Sequence, residues 1–231
     1  RPTDGIAAHL SIGVVTDSMG HDGPMHLTVV DHPLAQAALT VLRDESTEAA
    51  GFRAAMNALA IMLIYDATRE LSTQDITVTT PLTDTAGVRI DAPPYVIPVL
   101  RAGLGMLAGA LTHLPDAPTA FVGVARNDDT LIPEPYLNSL PGDLDGRDVL
   151  VLDPMLATGG SLAHAAELIG DSNPGKVTAV CVLAAPAGVA TLRRTGAVDA
   201  LVLASIDDHL NDDAFIVPGL GDAGDRLYGL A

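Results

Sequence analysis

The sequence predicts an α/β chain built on a mostly parallel central sheet flanked by helices, with further helices at its N-terminal end and a β-hairpin ahead of the sheet. Three observations predict it. From residue 95 onward, short apolar β-former runs alternate with helical segments, the pattern of repeated strand–helix–strand units. One run, Val149 to Leu152, is apolar at every position and suits a strand buried on both faces. An acid, Asp153, follows that run directly, where open α/β sheets place ligand groups.

The elements follow in chain order. Residues 1–26 include Gly5, Gly13, Gly20, Gly23 and Pro24 and keep no sustained period. They also lack the charged start, apolar centre and small-residue cleavage site of a secretory signal. Residues 1–28 are therefore expected to be a flexible extension and residues 29–231 one domain, with Met25 a more natural start. Asp31 or His32 offers a helix cap with Pro33 in the first turn, and Leu34, Ala38, Leu39 and Leu42 recur at helical spacing. A longer helix is expected over 47–69. Its face of Phe52, Met56, Leu59, Leu63 and Ile64 serves either as core or as a subunit interface, and Met56 and Met62 read as packing residues. Residues 76–80 alternate as a half-exposed strand, and a turn over 83–87 returns the chain through 88–90 as a hairpin. A buried strand over 95–100, a helix over 104–114 and a strand over 120–124 come next. Residues 126–148 are Pro-rich and acidic, and a connection that long is usually functional or mobile. The central strand leads to a helix over 162–169, then a strand over 177–185, a helix over 188–195 and a strand over 200–204. Residues 205–231 carry little regular pattern.

Composition narrows the function. With 231 residues and 48% apolar content, the chain is long enough for a sizeable core and is not disordered. No apolar run approaches the roughly 18 residues of a membrane span. The net charge of −17 opposes nucleic acid as a partner, although a few arginines still suffice for a local anion site. Cys181 is the sole cysteine, so no disulfide forms within one chain; this suits a cytoplasmic location, and the residue reads as a small buried side chain.

The candidate chemistry sits in four places. Ala157-Thr-Gly-Gly-Ser161 reads as a tight turn into a helix. Gly159 and Gly160 permit positive φ and close approach of an anion, Thr158 and Ser161 add hydroxyls, and the free helix-start amides face the same point. This is a pocket for one phosphate, with Asp153 placed to hold sugar hydroxyls. The Walker spacing with its Lys and the dinucleotide Gly spacing are both missing. In Val99-Leu-Arg-Ala-Gly-Leu-Gly105, Arg101 brings a planar fork of donors at a strand end and Gly103 leaves backbone open. Arg126 starts the long connection, where a cation can close over a departing anion. Residues 214–226 are too rich in Gly and Pro for a helix or central strand, and their fixed backbone donors and acceptors suit an uncharged planar base.

Asp153-Pro-Met-Leu-Ala-Thr-Gly-Gly-Ser161 resembles the phosphoribosyl-pyrophosphate (PRPP) motif of the type I phosphoribosyltransferases, in the form found in uracil phosphoribosyltransferases. Leu100-Arg-Ala-Gly-Leu-Gly-Met106 resembles that family's diphosphate-binding segment, and residues 214–226 its uracil-binding tail. The resemblance runs over 29–229. It implies the type I fold with a hood, and transfer of phosphoribose from PRPP to uracil, giving UMP and diphosphate in pyrimidine salvage. It implies Arg101, Arg126 and Asp153 as catalytic residues. PRPP would be held by these with Pro154, Met155, Leu156, Ala157, Thr158, Gly159, Gly160, Ser161 and Asp222. Uracil would meet Ile216, Gly221, Asp222 and Ala223, largely through the backbone. Mg²⁺ would arrive with PRPP or diphosphate, with Asp222 reaching it mainly through PRPP. A homodimer or homotetramer and, as in some members, activation by GTP are further implications.

Two segments depart from the family. Its usual Tyr-Arg-Asp is here Ala125-Arg126-Asn127, which keeps the arginine alone. Its usual Ile-Asp-Glu-Gly-Leu-Asn is here Ile206-Asp-Asp-His-Leu-Asn211, with Asp208 for Glu and His209 for Gly. If that glycine needs positive φ, His209 carries strain. Asp207, Asp208, Asp212 and Asp213 resemble a metal cluster, but a solvated acidic turn is the expectation. Other readings are a nucleic-acid-binding regulator on this fold, a transferase for another base, and a PRPP sensor without catalysis. The charge opposes the first and the tail opposes the second.

Overall fold

The computed structural model describes residues 25–126 and 133–230. Along the chain, β1 (His26–Val29) leads to helices α1 (Pro33–Arg43) and α2 (Ala49–Ala67), and then to the hairpin β2 (Thr73–Thr79) and β3 (Asp84–Ile90). β4 (Tyr95–Leu100), α3 (Leu104–His113), β5 (Val122–Arg126) and β6 (Pro133–Asn138) follow. After β7 (Val149–Leu152) come the short β8 (Met155–Leu156) and helix α4 (Gly160–Gly170). β9 (Val177–Val180), β10 (Leu183–Ala184), α5 (Pro186–Thr195), β11 (Ala200–Leu203) and β12 (Ser205–Ile206) continue the alternation. The tail holds β13 (His209–Leu210), β14 (Ile216–Val217) and α6 (Ala223–Tyr228).

The seven-stranded sheet has the order β1-β11-β9-β7-β4-β5-β6. All neighbouring pairs are parallel except β5 with β6. The expected mostly parallel sheet is thus present. Its strands divide their side chains between two helix layers with the period of two that a pleated strand imposes. Val96, Leu150 and Leu152 join the core with α1, α2, α3 and α6. Ile97, Val99, Val149 and Val151 join the other, with α4 and α5. The chain leaves β4 toward β5 and then returns to β7 on the far side of β4. Strand order therefore reverses between β4 and β7, which opens a crevice at their carboxyl ends.

Several elements differ from the sequence reading. The boundary expected at residue 28 falls inside β1, which pairs with β11 from His26↔Ala200 to Val29↔Leu203. A four-residue edge strand carries too short an alternation to stand out from a glycine-rich flank. The Phe52–Ile64 face of α2 is core: Phe52, Met56, Leu59, Leu63 and Ile64 are all fully buried within the chain. It therefore gives no argument for a subunit interface. The long Pro-rich connection, in which the sequence reading places no strand, contains β6, antiparallel to β5. Its turn, like residues 1–24, lies outside the described residues. His32 is the cap of α1, accepting from the Leu34 amide at 3.1 Å. Among the described residues, no helix is long and apolar enough to cross a membrane.

Candidate active site

A cleft of about 650 Å³ opens at the carboxyl ends of β4 and β7, at the reversal of strand order. The two strands send their helices to opposite faces of the sheet, α3 to one core and α4 to the other. The loops between strand and helix are left to form the walls. Of the residues predicted to act, Arg101, Asp153, Met155, Leu156, Ala157, Thr158, Gly159, Gly160, Ser161 and Asp222 line this cleft.

The corner expected to take a phosphate is built by Gly159. It caps α4 in the left-handed conformation, φ 84°, with no side chain bonded to the helix start. The first-turn amides are thereby left for a ligand, at the positive end of the helix dipole. A Cβ at Gly159 would also come within 2.9 Å of Thr191 Cβ, so the site needs glycine on two counts.

Asp153 leaves β7 half-buried in the floor. Burial pushes its carboxyl up to about 7, opposed by the bond from the Met155 amide at 3.5 Å. The free carboxylate is thus poorly compensated, which suits a group that waits for hydroxyl donors from a sugar. Pro154 does not line the cleft. It is buried, and its carbonyl accepts from the Val182 and Leu183 amides at 2.9 and 3.0 Å. Its place is in the joint between β7 and β8. Cys181 is fully buried, and that burial pushes its thiol up, away from reactivity.

Arg101 stands across the cleft with its side chain 62% exposed. Gly103, two residues on, allows the sharp turn from β4 into α3, since a Cβ there would lie 2.3 Å from the Leu152 carbonyl. Tyr228 Oη donates to the Arg101 carbonyl at 3.1 Å, and Asp225 lies 3.8 Å from the Arg101 guanidinium. The C-terminal helix thus holds the arginine that faces the anion corner. Arg126 ends β5, but its side chain lies outside the described residues, as does Asn127.

Residues 214–226 form more structure than their composition suggested. Asn211 folds the turn between β13 and β14: its side chain accepts from Phe215 and Asp213, and Ala214 takes the left-handed φ of 62°. His209 lies within β13 and is not among the residues of positive φ, so the strain expected there does not arise. Beyond β14, Val217–Pro218 is cis and Gly219 and Gly221 are left-handed. Asp222 caps α6 by accepting from the Asp225 amide at 2.8 Å. Ile216 and Ala223 are buried and Gly221 is exposed; none of the three lines the cleft, whereas Ala214, Asp222 and Gly224 do. Asp207 is not part of a solvated acidic turn. It is 4% exposed and paired bidentately with Arg43 at 2.6 Å, while Asp208, Asp212 and Asp213 are exposed.

Sequence reasoning missed Tyr136 of β6, which lines the cleft and packs its ring on Gly123 of β5. An aromatic in a Pro-rich connection gave no periodic signal. Among the described residues, no three His, Cys, Asp or Glu side chains converge to hold a metal unaided.

Known proteins resemble this chain along most of its length. The family model described as uracil phosphoribosyltransferase matches residues 29–230. A uracil phosphoribosyltransferase of Corynebacterium diphtheriae is 53% identical over 205 residues, 89% of this chain and 97% of that protein. One from Corynebacterium efficiens is 49% identical over 205 residues, with 89% of this chain and 97% of that protein covered. A solved structure of an Aquifex aeolicus protein matches with a TM-score of 0.83 at 36% identity, covering 89% of this chain and 99% of that one.

Proposed function

Because this chain belongs to the uracil phosphoribosyltransferase family, we propose that it joins uracil to the phosphoribosyl group of PRPP, releasing UMP and diphosphate. The single observation that carries the reading is the Gly159-capped start of α4 beside Asp153, facing Arg101 across one cleft. A sugar phosphate with an anionic leaving group matches that spacing of partners.

The 5′-phosphate would sit on the α4 amides with the Thr158 and Ser161 hydroxyls. Asp153 would accept from the ribose hydroxyls and face the positive charge that develops on the ring. The bond from C1 to the diphosphate oxygen breaks, and its electron pair leaves with the diphosphate. Uracil N1 supplies the pair for the new bond to C1 and gives up its proton to the diphosphate or to solvent. Arg101 would stabilise the departing charge, and Arg126 is placed by sequence to do the same. No covalent nucleophile is required; the protein positions the reactants and excludes water. Mg²⁺ carried in with PRPP would neutralise charge on the departing diphosphate, and Asp222 would help hold it, mainly through PRPP. The uracil contacts of Ile216, Gly221, Asp222 and Ala223, the homo-oligomer, activation by GTP and the cytoplasmic location belong to this reading through family membership.

The test is radiolabelled uracil with PRPP and Mg²⁺, scored for UMP. UMP formed at a rate dependent on PRPP supports the reading. Product from adenine or hypoxanthine but not from uracil would replace it with a transferase for another base.

A further inference from the structure

If the loop after β14 recognises a base through its main chain, whatever fixes that main chain sets the choice of base. Gly219 lies in this loop with φ 63°, and both of its backbone polar groups are held by one ion pair. Its amide donates to Asp207 Oδ2 at 2.9 Å. Its carbonyl accepts from Arg43 Nη1 at 2.8 Å. Arg43 also forks onto both Asp207 oxygens at 2.6 Å, and Ser205 Oγ donates to Oδ1 at 3.0 Å. The pair therefore joins the end of α1, the end of the sheet and the tail at a single residue, gripping the peptide on each side of it.

Neither Arg43 nor Asp207 lines the cleft. A buried ion pair adds little net stability over an apolar replacement, but it admits few geometries. The guanidinium fork resists rotation in a way that a single ammonium bond does not. Substitution of Gly219 itself is blocked, because a Cβ would fall 2.0 Å from the Ile216 carbonyl oxygen.

We propose that Arg43 and Asp207 are positioning residues for base specificity: by holding both sides of Gly219 they fix the main-chain donors and acceptors offered to the pyrimidine edge. This rests on the function proposed above. Uracil and cytosine differ by donor–acceptor reversal at two edge atoms, so a loop free to shift or turn a peptide loses much of its discrimination.

The test compares the wild-type protein with Arg43→Lys and Asp207→Asn, by kinetics with uracil, cytosine and PRPP and by amide hydrogen exchange. In the wild type, the Gly219 amide is expected to exchange at least about a hundredfold slower than an open-chain amide. In the variants, KM for uracil is expected to rise about tenfold or more while KM for PRPP stays within about threefold, and the preference for uracil over cytosine to fall about tenfold. A uracil KM unchanged in both variants, or KM values for uracil and PRPP that rise together, would overturn the proposal. So would a fast-exchanging wild-type Gly219 amide. If neither variant folds, the pair is a requirement of folding and the proposal fails. A wild-type protein that makes no UMP sinks the functional reading instead, and the exchange arm still judges whether the pair holds the loop.

Discussion

In the proposed reaction Asp153 must be buried enough to face a ribose yet charged enough to stabilise it. Its carboxyl is raised to about 7, so the folded chain binds this proton more tightly than the unfolded chain does. The cost of the carboxylate to stability therefore grows as pH climbs from about 4 to 7 and is complete above 7, reaching at most about 4 kcal/mol. Asp153→Asn should raise the melting temperature of the ligand-free protein at pH 8 and leave it nearly unchanged at pH 4.5; equal shifts at both values would contradict the burial argument. For the wild type, kcat/KM for PRPP should fall about tenfold per unit below pH 7 and level off above it, because only the carboxylate accepts both ribose hydroxyls. Arg101 is exposed and held by Tyr228 and Asp225, so its removal should leave the fold intact. Arg101→Ala is expected to cost about 10²–10³ in turnover, as for loss of one preorganised donor to a developing anion. Turnover within a few-fold of wild type would remove Arg101 from the mechanism. These residues were legible because the chemistry of each lies within a few neighbours in the chain. Asp207 was not, since its partner Arg43 is 164 positions away and only the fold brings them together.

The same contrast holds for elements. Helices α1 to α5 announced themselves by apolar spacing or by their place after a strand, and their ends moved by a few residues. The tail hid its hairpin and its last helix because two-residue strands and a six-residue helix are too short for any period to register. What holds the tail is not its own propensity but bonds to the body, Arg226 making several of them beside those of Arg43, Arg53 and Asp207. The Arg226 guanidinium stacks over the Phe52 ring at 4.4 Å, donates to the Leu220 and Asp44 carbonyls at 2.8 and 2.6 Å, and also bonds the Leu42 carbonyl. One side chain thus ties α6 to the end of α1, the start of α2 and its own preceding loop. A lysine keeps the charge but not the planar fork or the stacking. Arg226→Lys should lower stability by about 2–4 kcal/mol, with bonds to a charged donor each worth more than neutral ones. For a chain of this size that is a melting temperature lower by roughly 5–15 °C, with uracil binding weakened as well. A thermal midpoint within 2 °C of wild type would show that α6 is held by its apolar face, Leu227 and Ala223, instead.

At the scale of the whole molecule, the sheet could be foreseen from the alternation of strands and helices, but the place of the cleft could not be derived from that alternation alone. It follows from strand order, with β7 set beside β4 rather than beyond β6, and strand order is a property of the folded chain. Charge is the reverse case, fully legible and global. With 29 acids against 12 basic residues, most carboxylates have no cation to pair with whatever the fold. Apart from the buried Arg43–Asp207 pair, the pairs formed among the described residues, such as Lys176 with Glu70 and Arg69 with Asp66, lie at the surface and contribute little each. A net charge of −17 on one chain therefore repels itself in the compact state, and the repulsion is felt over a distance set by salt. Raising KCl from about 10 to 150 mM shortens the screening length from roughly 30 to 8 Å. The melting temperature at pH 8 should rise over that interval and then flatten, with the gain shrinking as pH is lowered and carboxylates take up protons. Over the same interval RNA should show no binding at either salt concentration, since its backbone meets the same repulsive field. A melting temperature that fell with added KCl would mean that the scattered ion pairs outweigh the net charge, and that the basic residues are placed far more favourably than their number allows.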